Sequence, residues 1–345
     1  MNGGVLDESN AVKFITEDAV EHSATKIVPA GSIMVGVRVG VGKVAVNSVP
    51  MCTSQDIVSI IGVDEQLWNK EYISYAIQYK APRLAAQAQG ATITGITSKA
   101  LKAVTIPVRE KSSQDQIVWT LNYLKELLLL SEQRLAKLDT LVKSRFVEMF
   151  GDPVSNTMDW EISTIKETAV TYGDGPFGSN LKSSDYVDEG VRVIRLGNIL
   201  TGSFSERDRS FVSFEKYERL KKYECKPGEV VIGTLGDPLL RACIVPDFGV
   251  PSIHKADCMY YETDKSKVLP VFAMSVINQP TMLKRAMLDM HGQTRARINS
   301  TQVGNLPMML PPLALQQEFA DFVNRVDKLR FVVIEFHECR CSPIG

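Results

Sequence analysis

The chain reads as an α+β protein in which two similar domains of mixed β-sheet and helix are joined by long coiled-coil-like helices packed antiparallel. Three observations predict this. A block of sequence occurs twice about 200 residues apart, a 3.5-residue apolar repeat follows the first copy, and a second apolar seam follows the second copy.

The repeat is read residue by residue. Gly90-Ala-Thr92-Ile-Thr94-Gly-Ile96-Thr-Ser98 leads through Ala103-Val-Thr-Ile-Pro107 into Ser113-Gln-Asp-Gln116. Gly292-Gln-Thr294-Arg-Ala-Arg-Ile298-Asn-Ser300 leads through Leu306-Pro-Met-Met-Leu-Pro-Pro312 into Leu315-Gln-Gln317-Glu. The offset is 202 from Gly90 to Gly292 and reads as 201 at Gln116 and Gln317. Upstream, Lys13-Phe-Ile-Thr16 and Ala30-Gly-Ser-Ile-Met-Val-Gly36 pair with Ser210-Phe-Val-Ser213 and Pro227-Gly-Glu-Val-Val-Ile-Gly233 at an offset of 197. Two copies joined by a helix suit a protein that grips two similar things at a set separation.

The long helix is predicted over residues 113–150. Steps of four and three from Ile117 meet Leu121, Leu124, Leu128, Ser131, Leu135, Leu138, Val142, Arg145 and Met149, a coiled-coil period broken only by Ser131 and Arg145. Gly151 supplies a left-handed cap and Pro153 stops continuation. Such a helix is on the order of 55 Å long. After Pro311-Pro312 a second seam runs through Phe319, Phe322, Val326, Leu329, Val333 and Phe336. An exposed stripe needs a partner, so the two helices are expected to pack together rather than each on its own domain alone.

Between the helices, Val191-Arg-Val-Ile194, Glu229-Val-Val-Ile232, Ala242-Cys-Ile-Val245 and Cys258-Met-Tyr-Tyr261 read as short strands separated by Pro, Gly and Asp. Residues 273–288 read as a helix broken by Pro280. In the first copy, residues 32–39 and 43–46 read as strands and 65–89 as mainly helical.

Composition excludes several classes. With 345 residues, 44% hydrophobic and 23% charged, the chain is ordinary globular material with room for two cores. Its longest apolar runs fall far short of the roughly 20 residues of a membrane helix, and the polar N-terminus is unlike a signal peptide. The six cysteines form no CxxC pair, which suits reduced thiols in a cytoplasm, and Cys339-Arg-Cys341 lacks a second pair for a metal. Net charge is −1, but residues 29–111 hold nine Lys/Arg against five Asp/Glu. Lys284, Arg285, Arg295 and Arg297 cluster in the second copy. A solvated basic face would explain both concentrations equally well.

Catalytic equipment is sparse. Gly173-Asp-Gly175-Pro-Phe-Gly178 has GxGxxG spacing, but Ser179-Asn-Leu-Lys-Ser-Ser-Asp185 does not open the apolar helix that a dinucleotide loop requires. It reads instead as a contact loop whose backbone can approach a ligand. The SxxK spacing of Ser179 and Lys182 lacks its companion motifs, and the four histidines are too dispersed for a zinc helix or triad. No Walker loop is present. What the chain supplies suits DNA: Arg for guanine, Asn and Gln for adenine, Lys and hydroxyls for phosphate. The candidates are Phe177, Ser179, Asn180, Lys182, Arg195, Asn198, Arg241, His254, Lys255, Gln293, Arg295 and Arg297, with Lys43, Arg83 and Thr92 in the first copy. Each alone would pass for a plain surface residue.

Lys143-Ser-Arg-Phe-Val-Glu-Met-Phe-Gly-Asp-Pro153 at the end of a long helix resembles the specificity subunit of type I restriction-modification systems. So do Asp174-Gly-Pro-Phe-Gly-Ser179, Arg195-Leu-Gly-Asn-Ile199 and the repeated proline stretch before the Gln-rich helix start. The resemblance covers nearly the whole chain. It implies a non-catalytic, cytoplasmic subunit of a bacterium or archaeon whose two target-recognition domains each read half of a split double-stranded DNA sequence. The helices would set the spacing and dock methyltransferase subunits, through Leu121, Leu124, Leu128, Leu135, Leu138, Val142, Phe319, Phe322, Val326 and Leu329. No cofactor or metal is implied in this chain; S-adenosylmethionine, ATP and Mg²⁺ would belong to the methyltransferase and restriction/translocase subunits. The domains implied are a partial first recognition domain (1–112), a central helix (113–151), a second recognition domain (152–312) and a shortened C-terminal helix (313–345).

Two departures shape the expectation. Gly228 stands 77 positions after Gly151, against 30 residues before the equivalent Gly31, so about 47 residues of the first domain lack a counterpart. The seam is also abandoned over Glu338-Cys-Arg-Cys-Ser-Pro-Ile-Gly345. A truncated, split or rearranged specificity chain is therefore expected. The alternatives are a regulatory scaffold that joins partner subunits without specific DNA binding, and the recognition half of a split methyltransferase-nuclease.

Overall fold

A computed structural model describes residues 4–10, 13–38, 40–86, 95–288 and 297–338, with Asn10 and residues 331–338 as backbone. The chain divides into two compact units, Met1–Leu130 and Ser131–Gly345.

Unit 1 contains β1 (Gly4–Leu6), α1 (Glu17–Glu21), β2 (Ile27–Val28), β3 (Ile33–Gly36), β4 (Val44–Asn47), β5 (Met51–Cys52), β6 (Ile57–Ile60), α2 (Lys70–Ala86), α3 (Ser98–Lys102) and the first half of α4 (Lys111–Phe150). Its sheet has the order β1-β4-β3-β6, antiparallel except for the β1–β4 pair, and β2 pairs with β5 apart from it. Alternating Ile33 and Val35 face Ile73, Ile77 and Leu84 of α2, and Ile96 and Leu101 close the core.

Unit 2 begins with the second half of α4. It continues through β7 (Ile162–Thr164), β8 (Ala169–Asp174), β9 (Tyr186–Val187), β10 (Val191–Ile194), β11 (Ser210–Val212), α5 (Phe214–Leu220), β12 (Glu224–Cys225), β13 (Val230–Gly233) and β14 (Arg241–Ile244). Then come β15 (Ser252–His254), β16 (Cys258–Thr263), α6 (Pro270–Ile277), α7 (Pro280–Leu288), α8 (Ser300–Gly304), β17 (Pro307–Met309) and α9 (Leu313–Glu338). One sheet runs β14-β13-β16-β8 and the other β12-β15-β10-β11-β9; β17 and β7 form a short ribbon. Ile194, Val231, Cys243 and Cys258 pack between the sheets. The main core lies on the other face of the four-stranded sheet, where α6, α8, α9 and the end of α4 meet. The helix predicted over 273–288 is two helices, because Pro280 cannot continue the first and instead opens the second.

The repeat is real down to single hydrogen bonds. Gln114 and Gln316, both fully buried, make the same three contacts. Gln114 accepts from Asn69 N and donates to Leu67 O and Arg109 O; Gln316 accepts from Leu269 N and donates to Lys267 O and Pro311 O. These two glutamines stand at an offset of 202, so the slip to 201 at Gln116 and Gln317 is corrected. Thr16 and Ser213 cap α1 and α5 at the expected offset. Gly31 and Gly228 take left-handed φ of 76° and 84° in equivalent turns into β3 and β13. The β2–β5 pair recurs as β12–β15. Strands β7 to β10 have no counterpart among the described residues of unit 1.

The helix predicted over 113–150 starts two residues earlier, at Lys111, and its end holds: α4 stops at Phe150, and Gly151 has a φ of 74°. Within unit 2 the end of α4 and α9 pack antiparallel, since Arg145 pairs with Glu318 while the earlier Asp139 pairs with the later Arg330. The seams need correction. In the half of α4 that belongs to unit 2 the fully buried positions are Phe146 and Phe150, one turn apart, whose rings meet Phe272 and Phe319 at centroid distances of 4.8–5.8 Å. In α9 the inward stripe is Phe319, Val323 and Val326, followed by Arg330; Phe322 is half-buried and Leu329 is 57% exposed. Arg330 takes the inner place because Asp139 and Asp327 receive its guanidinium.

Candidate nucleic-acid interface

In unit 2 the loop after β8 lies directly on the turn after β15. A Cβ on Gly175 would stand 2.4 Å from both C and O of Lys255, so only glycine permits the approach. Gly178, with φ of 57°, then opens a single 3-10 turn that leaves Phe177, Ser179, Asn180 and Lys182 exposed. No helix follows, as the spacing argument against a dinucleotide loop requires.

Two basic-aromatic clusters flank this loop. Arg297 stacks on Phe177, with Cζ 5.5 Å from the ring centroid, and its Nη2 lies 2.9 Å from Asp257 Oδ1. Tyr186 is shared by Arg195 and Lys255, whose cationic centres lie 5.8 and 5.3 Å from its ring; Lys255 Nζ also donates to the Tyr186 hydroxyl at 3.0 Å. Arg195 is steadied by Asp208 at 2.9 Å. The Lys182 backbone N–H and Lys216 hold the Asp185 carboxyl below its usual range and fix the base of the loop. Guanidinium and ammonium groups over aromatic rings, half-exposed beside a glycine loop, are equipped to meet phosphate or base edges.

Three candidates sit inside instead. Arg241 gives its donors to the carbonyls of Ile199, Leu235, Pro238 and Leu196 at 2.6–3.2 Å, and burial pushes its pKa down. Asn198 is fully buried, accepting from Arg195 N and donating to Ser205 O and Asp208 O. His254 is 3% exposed, donates through Nδ1 to Tyr223 O at 2.9 Å, and is pushed down to about 4 by burial. These groups shape the loops that carry the exposed ones.

In unit 1, Lys43 and Arg83 are exposed. Thr92, Gln293 and Arg295 lie outside the described residues. Asp257, Tyr186 and Arg192 were not singled out from sequence. Arg192 is almost wholly buried between Phe211 and Phe248, each 5.5 Å away, and bonds Asp208 O. The alternation of aromatic and basic residues across 177–195 was the available signal, but contact with 255 and 297 is visible only in three dimensions. Among the described residues no group of three or more His, Cys, Asp or Glu could hold a metal ion, and no helix is long and apolar enough to cross a membrane.

Residues 2–140 match the family model described as the type I restriction modification DNA specificity domain. The type I restriction enzyme MjaIX specificity subunit of Methanocaldococcus jannaschii is 22% identical over 92% of this chain and 75% of its own length. The MjaVIII specificity subunit of that organism is 20% identical over 75% of this chain, which spans 63% of that relative. The EcoR124I/EcoR124II specificity subunit of Escherichia coli is 36% identical over 30% of this chain and 27% of its own length. The crystal structure of a type I restriction-modification S subunit from M. genitalium shares the fold, with a TM-score of 0.55, 17% identity, and coverage of 90% of this chain and 80% of that one. Residues 2–140 thus carry the match to the type I restriction modification DNA specificity domain, and the chain as a whole is similar to type I specificity subunits and shares the fold of a solved one.

Proposed function

We propose that this chain reads a bipartite double-stranded DNA target, one half per unit, and performs no chemistry itself. The observation that supports this most is the recurrence of one backbone frame in both units, anchored by Gln114 and Gln316 at the two helix starts. Identical frames carrying different exposed side chains are what two readers of different half-sites require. The recognition domains are proposed as residues 1–112 and 152–312, with α4 and α9 as the spacing element.

Docking of methyltransferase subunits is proposed through outward positions of these helices. Leu124 is 37% exposed and Leu329 57%, and Leu121, Leu128, Leu135, Leu138 and Phe322 are half-buried on their helices, whereas Val142, Phe319 and Val326 are spent on the chain's own packing. In this reading methyl transfer, with S-adenosylmethionine, and translocation or cleavage, with ATP and Mg²⁺, take place on partner chains in the bacterial or archaeal cytoplasm. Mapping methylated bases across a host genome with and without this gene tests the assignment. A methylated motif in two parts that vanishes with the gene is expected; an unchanged methylation pattern would contradict it.

A further inference from the structure

The two units contain the same ion pair, but the arginine reaches it from opposite sides. Asp56 O accepts from Val37 N at 2.8 Å, and Asp257 O accepts from Thr234 N at 2.9 Å; Val37 and Thr234 are related by the offset of 197. The carbonyls of Val37 and Thr234 accept in turn from Ile96 N and Ile298 N, at 2.8 and 3.0 Å. Each frame thus sets one aspartate beside two facing backbone positions, 38 and 95 in unit 1, 235 and 297 in unit 2.

In unit 2 these positions hold Leu235 and Arg297, which bridge each other, and Arg297 Nη2 lies 2.9 Å from Asp257 Oδ1. In unit 1 they hold Arg38 and Gly95, and Arg38 Nη1 lies 3.7 Å from Asp56 Oδ1. Gly95 makes the room, since a Cβ there would meet Arg38 Cγ at 2.9 Å and Val37 O at 3.0 Å. The guanidinium therefore occupies the same place although the residue carrying it has changed strand. Stability is a weak reason for such a coincidence: the side chains are 40% and 37% exposed in one pair and 46% and 28% in the other, where ion pairs contribute little.

We propose that Arg38 and Arg297 are equivalent DNA contacts, one per unit, and that Asp56 and Asp257 are positioning residues that aim them. This rests on the DNA-reading assignment above and adds Arg38 to its residues. A half-exposed fork with one edge held by a carboxylate keeps its other N–H groups for a ligand with paired acceptors, either phosphate oxygens or the O6/N7 edge of guanine.

The test uses the full-length chain and a library of duplexes with a long random central tract, followed by anisotropy titrations of enriched duplexes over a salt series. Arg297→Ala is expected to weaken binding roughly five- to hundredfold and disturb one half of the enriched motif, and Arg38→Leu the other half. A phosphate contact lowers the salt slope by about one and leaves base preferences alone; a base contact relaxes one position and leaves the slope nearly unchanged. Moving the arginine across the Leu235–Arg297 bridge, in Arg297→Gly with Leu235→Arg, copies the arrangement of unit 1 and is expected to restore binding that Arg297→Ala alone loses. Asp56→Asn weakens binding with an unchanged thermal midpoint. Variants that bind and select like the wild type overturn the proposal, as does a loss that merely follows a fall in thermal midpoint. A wild-type chain that enriches no motif overturns the DNA-reading assignment itself, and the two failures are thereby separated.

Discussion

Arg241 and Arg297 look alike in sequence, and the fold gives them opposite work. Arg241 faces inward and holds four carbonyls, so Arg241→Ala leaves acceptors without donors and is expected to cost about 3 kcal/mol in a denaturant titration. An unchanged unfolding midpoint would show those carbonyls to be solvated. His254 makes a pH-dependent contribution. Burial pushes its folded pKa down to about 4, below the ordinary 6.5, so between those values the unfolded chain binds the proton that the folded chain refuses. Stability is therefore full above about pH 6.5 and falls as pH drops toward 4, by up to about 3 kcal/mol. Between pH 6.5 and 4 wild type should lose up to about 3 kcal/mol relative to His254→Gln; parallel curves would show that the imidazole does not supply the slope.

The helices were the most legible elements, because a period of 3.5 residues persists over about nine turns and Gly151 marks its end. The inward face of α9 was less legible. A step of four at Phe319 to Val323 is as good a helix neighbour as a step of three to Phe322, and the choice depends on what stands opposite. Arg330 could not be placed inward without knowing that Asp139 faces it. Exposed Asn and Arg side chains were likewise indistinguishable from those closing loops until the loops existed. At this scale Phe146 is the decisive residue, touching Phe150, Phe272 and Phe319 at once. Phe146→Ala is expected to destabilise unit 2 by about 3–5 kcal/mol. Val147→Ala, one position along on the exposed face, is the control, with a change under about 0.5 kcal/mol. Similar losses at both positions would mean that the end of α4 does not build this core.

For the whole molecule, the repeat carries the account. It was visible in sequence as short matches with drifting offsets, and the structure places the drift from 197 to 201 in the loop between β14 and β15, four residues longer than the loop between β4 and β5. Both glutamine clamps, both capped short helices and both arginine–aspartate pairs follow from one backbone geometry used twice. The central claim is that each copy reads DNA. Hydroxyl-radical footprinting of the chain with the proposed methyltransferase partner on a duplex carrying the methylated motif tests that most directly. Two protected patches separated by an unprotected spacer are predicted; a single continuous patch, or protection unaffected by scrambling either half, would contradict it.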